Sequence, residues 1–328
     1  MQELEGKQIL MTGASGFIGS HLLDYFISLN QNILTNPCKI TCIINKENVV
    51  KDKNVTTIKA DLTQGLLNKL PNHNFDYVIH LAAVSSPQQY KKNPLRALDL
   101  SYIGTRNILD FSKECNAKSV LCFSSAAIYG NPNEYNTSLN ESSLGPLSPF
   151  SDRSSYTIGK KVLETLCYTY FKKFNLPVKI VRPFNIYGPR MDKNSVLSRF
   201  IFKIINGEEI HLYGDGEQTR TFCHISDAID GFIKVMLDGQ EGEAYNIGDE
   251  HAEKSMIEVV KLLFKVSERK TIVKTINYPS DYPKDEPRRS VPDMTKMKKM
   301  GFINKVFFEK GLSDLFYYYV KQMERNDV

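Results

Sequence analysis

Gln8-Ile-Leu-Met-Thr-Gly13-Ala-Ser-Gly16-Phe-Ile-Gly19-Ser-His-Leu22 decides the fold of this chain. The apolar run at 8–12 is too short for a buried helix and reads as a strand. Three glycines at three-residue steps then make a tight turn, and the pattern over 20–30 reads as a helix. In strand–turn–helix order the glycines let backbone N–H groups approach a pyrophosphate, and the helix N-terminus adds positive potential. The spacing Gly13-x-x-Gly16-x-x-Gly19 departs from the commoner G-x-G-x-x-G form. The competing reading is a glycine turn with no ligand, which the flanking strand and helix argue against.

Working outward, further strands are expected at 39–44, 54–59, 77–81, 119–123 and 178–181. Helices are expected at 95–116 and 155–173. Alternating strands and helices imply an α/β, Rossmann-type doubly wound parallel sheet covered on both faces. The Asn-, Pro- and Ser-rich stretch 131–150 reads as a loop. After about residue 190 the rhythm breaks into shorter elements, including a strand at 210–213, a Pro- and charge-rich loop at 279–292 and a helix at 307–323. The expected organisation is a dinucleotide-binding domain over 1–190, part of its sheet completed by later segments, and a smaller C-terminal substrate-binding lobe mainly over 191–328.

The 328 residues are 24% charged and 41% hydrophobic, ordinary values for a soluble globular protein. The net charge of +5 comes without a long basic run, so no nucleic-acid partner is expected. Six cysteines (Cys38, Cys42, Cys115, Cys122, Cys167, Cys223) form no CxxC pair and no cluster with metal spacing. Reduced thiols and no metal are the simplest reading. The N-terminus lacks an apolar signal region and no run approaches the length of a membrane span, so a cytoplasmic protein without a membrane partner is expected.

Tyr156-Thr-Ile-Gly-Lys160 places a phenol and an ammonium on one helix face. A free phenol titrates near ~10. A neighbouring lysine charge is expected to draw it toward the working range. The pair gains weight from Ser124-Ser125 upstream. The second strand ends Ile43-Ile44-Asn45-Lys46, with no acid before Glu47. Asn45 suits a ribose hydroxyl and Lys46 suits a 2′-phosphate, which leaves NAD and NADP both open.

These pieces together resemble the extended short-chain dehydrogenase/reductase family, in its nucleotide-sugar epimerase/dehydratase branch. The resemblance spans essentially the whole chain. It runs through residues 12–22, Asp61-Leu62, His80-Leu-Ala-Ala83, Ser124-Ser-Ala-Ala-Ile-Tyr-Gly130 and Tyr156-x-x-x-Lys160. It continues in Arg182-Pro-Phe-Asn-Ile-Tyr-Gly-Pro189, Tyr213-Gly-Asp-Gly-Glu-Gln-Thr-Arg-Thr-Phe222 and Asn246-Ile-Gly248. It implies a nucleotide-sugar substrate and cofactor contacts from Gly13, Ser15, Gly16, Phe17, Ile18, Gly19, Asp61, Leu62, Leu81, Ala82, Ala83, Tyr156, Lys160 and Pro183. Ser125 would touch the reacting sugar oxygen, Tyr156 would be the acid/base, and Lys160 would lower its pKa and bind the nicotinamide ribose. On the substrate side it implies Ser85, Ser124, Asn185 and Arg220, with Arg288 or Arg289 as a second diphosphate ligand. It also suggests a homodimer through two helices per subunit, one of them bearing Tyr156.

Two positions depart from the family pattern. Members that eliminate water or CO2 usually carry an acid two residues before the Tyr-Gly pair. Here that slot is Ala127, preceded by Ala126, and alanine transfers no proton. Ser101 stands where the family usually has asparagine. The leading expectation is therefore hydride and proton exchange at C4 of a nucleotide-linked hexose, by a 4-epimerase or a 4-keto reductase/4-dehydrogenase. A UDP-glucuronate decarboxylase-like enzyme is the alternative, because Ser86-Pro-Gln-Gln-Tyr-Lys-Lys-Asn-Pro94 and Asp285-Glu-Pro-Arg-Arg-Ser-Val-Pro-Asp293 look like it. A catalytically inactive NAD(P)-binding regulator fits poorly with Ser125, Tyr156 and Lys160 all present.

Overall fold

A computed structural model describes residues 2–45, 50–65, 70, 74–130, 138–278, 282 and 286–325. The order begins β1 (Gln8–Thr12), α1 (Phe17–Asn32), β2 (Lys39–Ile44), β3 (Val55–Lys59) and β4 (Tyr77–His80). It continues α2 (Pro87–Lys92), α3 (Pro94–Asp99), α4 (Thr105–Glu114), β5 (Ser119–Phe123), α5 (Ser154–Phe174) and β6 (Val178–Pro183). Then come β7 (Ile186–Tyr187), α6 (Val196–Asn206), β8 (Ile210–Tyr213), β9 (Thr219–Thr221), β10 (Cys223–His224), α7 (Ile225–Asp238) and β11 (Ala244–Ile247). The chain closes with β12 (Glu253–Ser255), α8 (Met256–Ser267), β13 (Val273–Ile276), β14 (Arg289–Ser290), α9 (Thr295–Lys299) and α10 (Phe308–Glu324).

A seven-stranded parallel sheet runs in the order β11-β6-β5-β4-β1-β2-β3. Every residue of β4 and of β5 is buried, as continuous apolar strands in a sheet covered on both faces should be. The chain leaves β1 toward β2 on one side and returns to β4 on the other, with Thr12 aligned to Ile43 and to His80. That reversal of strand order is the topological switch point, where α/β sheets open a crevice beyond the strand ends. Gly13 and Leu81-Ala82-Ala83 lie there.

One expected helix is not continuous. Residues 95–116 divide into α3, a π-helical turn over Leu100–Gly104, and α4. The extra residue in such a turn shifts the hydrogen-bond ladder by one position without disturbing the apolar pattern. Ser101 lies in this turn and donates to the Ala97 carbonyl at 2.8 Å. A Cβ on Gly159 would lie 2.8 Å from the Ser101 hydroxyl, so both positions are small where these helices meet.

Contacts divide the chain into two compact units. The first comprises 1–130, 147–183 and 229–245; the second comprises 131–146, 184–228 and 246–328. The first packs Leu10, Val78, Ile108, Phe111, Val120 and Ile180 into its core. The second packs Leu197, Ile201, Phe222, Val259, Leu312 and Phe316. It carries the small sheets β12-β9-β14, β13-β8 and β10-β7. All six cysteines are free. Among the described residues no helix is long and apolar enough to cross a membrane, and no group of three or more acids, histidines or cysteines is placed to hold a metal.

Candidate active site

Gly13 has φ +71°, and a Cβ there would lie 2.8 Å from the Ala82 amide nitrogen. A Cβ on Gly19 would lie 2.0 Å from the Gly13 carbonyl oxygen. Both glycines are therefore demanded by the backbone's own close approach. Gly16 stands at the N-cap of α1, where it offers no side-chain acceptor, and the first turn carries no acid. The N–H groups at the start of α1 are thus left for an outside acceptor. Ser15, Phe17 and Ile18 lie in this same turn.

A buried chain of hydrogen bonds fixes the neighbouring strand end. The Ala82 N–H donates to Thr12 Oγ1 at 3.2 Å, and the same oxygen lies 2.9 Å from His80 Nδ1. The other ring nitrogen, His80 Nε2, lies 3.1 Å from Thr105 Oγ1. Burial, reinforced by the Lys160 charge, lowers the His80 pKa to about 3. The ring is neutral and serves as a strut that sets Leu81, Ala82 and Ala83.

Asp61 is occupied within the protein. Its Oδ1 accepts from Arg96 at 2.9 Å and from the Thr63 amide and hydroxyl at 2.9 and 2.8 Å. Burial pushes its pKa up, but these bonds together outweigh it and hold the carboxyl below its usual range. Leu62, beside it, is buried. Asn45 is exposed just past β2, Ser85 is exposed past β4, and Pro183 ends β6. Lys46 lies outside the described residues.

Ser124 and Ser125 follow β5 directly. The Ser125 side chain caps a 3-10 turn over Ala126–Tyr129, accepting from the Ala127 amide at 3.1 Å. Tyr156 and Lys160 rise from α5, and the Ser125 hydroxyl acts on the Tyr156 phenol to favour its charged form. The Ser124 hydroxyl is buried without a hydrogen-bond partner, an arrangement that ligand-binding polar groups show. An open α1 N-terminus, the glycine turn and an orphaned hydroxyl beside the Tyr–Ser pair fit a dinucleotide and a hydroxylated substrate.

The electrostatics differ from the expectation. Burial raises the Tyr156 pKa, against lowering by the Ser125 hydrogen bond and the Arg153 charge. Lys160 has no resolved part in that shift. The residue is 3% exposed, and its ammonium donates to the Phe123 carbonyl at 2.5 Å. Burial lowers its own pKa to about 8. The lysine therefore does not draw the phenol down in this state, because desolvation dominates and the ammonium is engaged elsewhere.

Three residues to which the sequence reading gave no bracing role hold the site together. Arg182 on β6 forms a fork with Glu164 at 2.9 and 2.7 Å and donates to the Tyr129 hydroxyl at 2.9 Å. Glu164 follows Lys160 by one helical turn, and Tyr129 closes the turn that Ser125 caps. One guanidinium thus joins the segments that carry Ser125, Tyr156 and Lys160. The four-residue steps 156, 160 and 164 were a visible signal, but their partner on β6 was not.

Of the expected substrate-side residues, the second unit holds Asn185, Arg220, Arg288 and Arg289. Asn185 is exposed with φ +39°, a left-handed conformation that asparagine tolerates better than most residues. Arg220 on β9 donates to Glu286 at 2.7 Å and lies 3.4 Å from the Arg288 carbonyl. Arg288 pairs with Asp215 at 2.5 Å, and Arg289 with Glu253 at 2.8 Å. Parallel pairing of β14 with β9 brings these three arginines together. Each is engaged with a carboxylate, so an incoming anion would compete with an acid already in place.

The model of the NAD dependent epimerase/dehydratase family matches residues 9–248. The chain is 32% identical over 336 residues to UDP-glucuronic acid decarboxylase 1 of Xenopus tropicalis, covering 99% of this chain and 75% of that one. It is 34% identical over 311 residues to UDP-glucuronic acid decarboxylase 5 of Arabidopsis thaliana, covering 93% and 87%. A solved UDP-N-acetylglucosamine 4-epimerase from Methanobrevibacter ruminantium M1, in complex with UDP-N-acetylmuramic acid, matches with a TM-score of 0.84 at 27% identity. That match covers 97% of this chain and 100% of the other.

Proposed function

The chain belongs to the NAD-dependent epimerase/dehydratase family, and from that premise we propose that it exchanges a hydride and a proton at C4 of a nucleotide-linked hexose. The observation that carries this reading is the Ser125 hydroxyl acting on the Tyr156 phenol to favour its charged form, with Lys160 one helical turn on and Ala127 in the slot of a second acid. NAD, when bound, supplies the hydride acceptor and donor. Tyr156 takes the proton from the C4 hydroxyl and returns it, while Ser125 holds the same oxygen. Lys160, whose ammonium is held by the Phe123 carbonyl, fixes α5 against the end of β5. Arg220, with Arg288 or Arg289, is the candidate set for the diphosphate.

Decarboxylation of a nucleotide-linked uronate is a second reading, favoured by the identity to UDP-glucuronic acid decarboxylases. Oxidation at C4 makes the C6 carboxylate β to a ketone. CO2 then leaves with its bonding electrons passing into an enolate whose oxygen Ser125 and Tyr156 would face. Ala127 weakens this reading, because the slot of a second acid is filled by a residue that transfers no proton. It removes a proton donor for C5, which solvent would have to replace.

The test is to incubate purified protein and NAD with UDP-glucose, UDP-N-acetylglucosamine and UDP-glucuronate, then separate products by anion exchange and weigh them. A C4 epimer of unchanged mass supports epimerisation. Turnover of added NADPH with a 4-ketosugar identifies a reductase, and CO2 release from UDP-glucuronate supports the second reading. Stoichiometric NAD binding with no product from any of these sugars would count against both.

A further inference from the structure

Tyr90 on α2 lies face to face with Tyr156 on α5. Their ring centroids are 5.3 Å apart and their planes differ by 9°, the offset-parallel geometry that aromatic pairs favour. Tyr90 is 4% exposed, so its ring is held by its own surroundings. A second tie joins the same elements: Lys91 reaches Asp152, just ahead of α5, at 3.7 Å. The helix is short and begins at Pro87, with Ser86 at its N-cap. It therefore hangs from the segment that leaves β4 past Leu81-Ala82-Ala83. The proposed reaction gives no role to the run Ser86–Pro94, yet this run sets a flat ring against the acid/base.

We propose that Tyr90 is a positioning residue, which fixes the plane of the Tyr156 phenol for proton transfer and keeps water off one face of its ring. The proposal rests on the reading of Tyr156 as the acid/base. A phenol's second torsion is broad and roughly two-fold, so the backbone of α5 alone does not set where the hydroxyl points. A flat neighbour removes that freedom. An aliphatic side chain of similar volume fills the space but offers no plane, and it admits water at its edges. The raised pKa of Tyr156 under burial agrees with a ring shielded in this way.

The experiment compares wild type, Tyr90→Phe and Tyr90→Leu, each with 13C at the tyrosine Cζ, by NMR titration; Tyr156→Phe assigns the signal. No substrate is needed, so the result stands apart from the identity of the reaction. The Tyr156 midpoint is expected to stay put in Tyr90→Phe and to fall by about one pH unit in Tyr90→Leu as water reaches the ring. With whichever sugar the wild type turns over, kcat in Tyr90→Leu is expected to drop about tenfold to a hundredfold at little changed KM. Tyr90→Phe should restore it. Melting curves and NADH fluorescence verify that the leucine variant is folded, and Tyr90→Met replaces it if it is not. Identical Tyr156 titrations in all three proteins would overturn the proposal, as would equal kcat losses in the Phe and Leu variants. If no sugar is turned over, the proposed reaction fails and the titration still decides the positioning role.

Discussion

The ammonium of Lys160 donates to the carbonyl oxygen of Phe123 at 2.5 Å, which ties α5 to the last residue of β5 immediately before Ser124-Ser125. The lysine thereby holds the helix against the strand end that presents the two serines. Its charge is kept in a desolvated place, where its pKa falls from 10.5 to about 8.

A pH dependence follows. Between about 8 and 10.5 the unfolded chain binds more protons at this lysine than the folded one, so stability rises with pH across that window. The buried charge costs on the order of 3 kcal/mol below it. Lys160→Met removes the titration, so the melting temperature of wild type should gain on that of the variant as pH rises from 8 to above 10. Parallel curves for the two proteins would contradict the assignment.

Tyr156→Phe and Ser125→Ala should each lower kcat by about a hundredfold or more, because they remove proton transfer and a hydrogen bond at the reacting oxygen. NAD binding, read by calorimetry, should stay within a few-fold of wild type, since neither change touches the glycine turn.

Gly13→Ala should cost several kcal/mol or prevent folding. Its Cβ would lie 2.8 Å from the Ala82 nitrogen, at φ +71°, and backbone cannot yield as a side chain can. Gly16→Ala should be milder in stability, since its Cβ meets only the Gly13 oxygen at 3.3 Å. It should instead weaken NAD binding. Denaturant melts and calorimetry on the pair separate the two effects.

Arg182→Met leaves the half-buried Glu164 without its partner and should destabilise by about 2–4 kcal/mol, whereas the double change Arg182→Met/Glu164→Met should recover much of that loss. Urea unfolding of both variants measures it. Activity should remain low even in the double variant, because the brace between the Ser125 turn and α5 is gone.

His80 makes the opposite end of the pH range informative. Its folded pKa of about 3 lies below the ordinary 6.5, so folding is opposed increasingly as pH falls through that interval. His80→Gln should lose less stability than wild type between pH 6.5 and 4, read as the change in urea midpoint with pH.

Much of the sheet was legible in the residues. Gln8–Thr12, Lys39–Ile44 and Ser119–Phe123 stand where their apolar runs placed them, because buried parallel strands need uninterrupted apolar side chains. The π-helical turn at Leu100–Gly104 was not legible, since a one-residue shift in backbone bonding leaves the apolar positions nearly unchanged. Arg182 and Tyr129 stood in the motifs of the resemblance without a structural role, and Glu164 in none, until β6, α5 and the turn after β5 converge on them.

The sequence by itself determined the glycine turn and the sheet around it, and it placed Tyr156 and Lys160 on one helix face. Those follow from short-range geometry: residue spacing, side-chain size and backbone freedom. Only the tertiary structure decided what surrounds that pair. It sent the Lys160 charge to Phe123, laid Tyr90 on Tyr156 and raised the phenol's pKa where spacing alone predicted a fall. Desolvation and long-range partners set a titrating group's free energy, and neither is written in the distance between two residues along the chain.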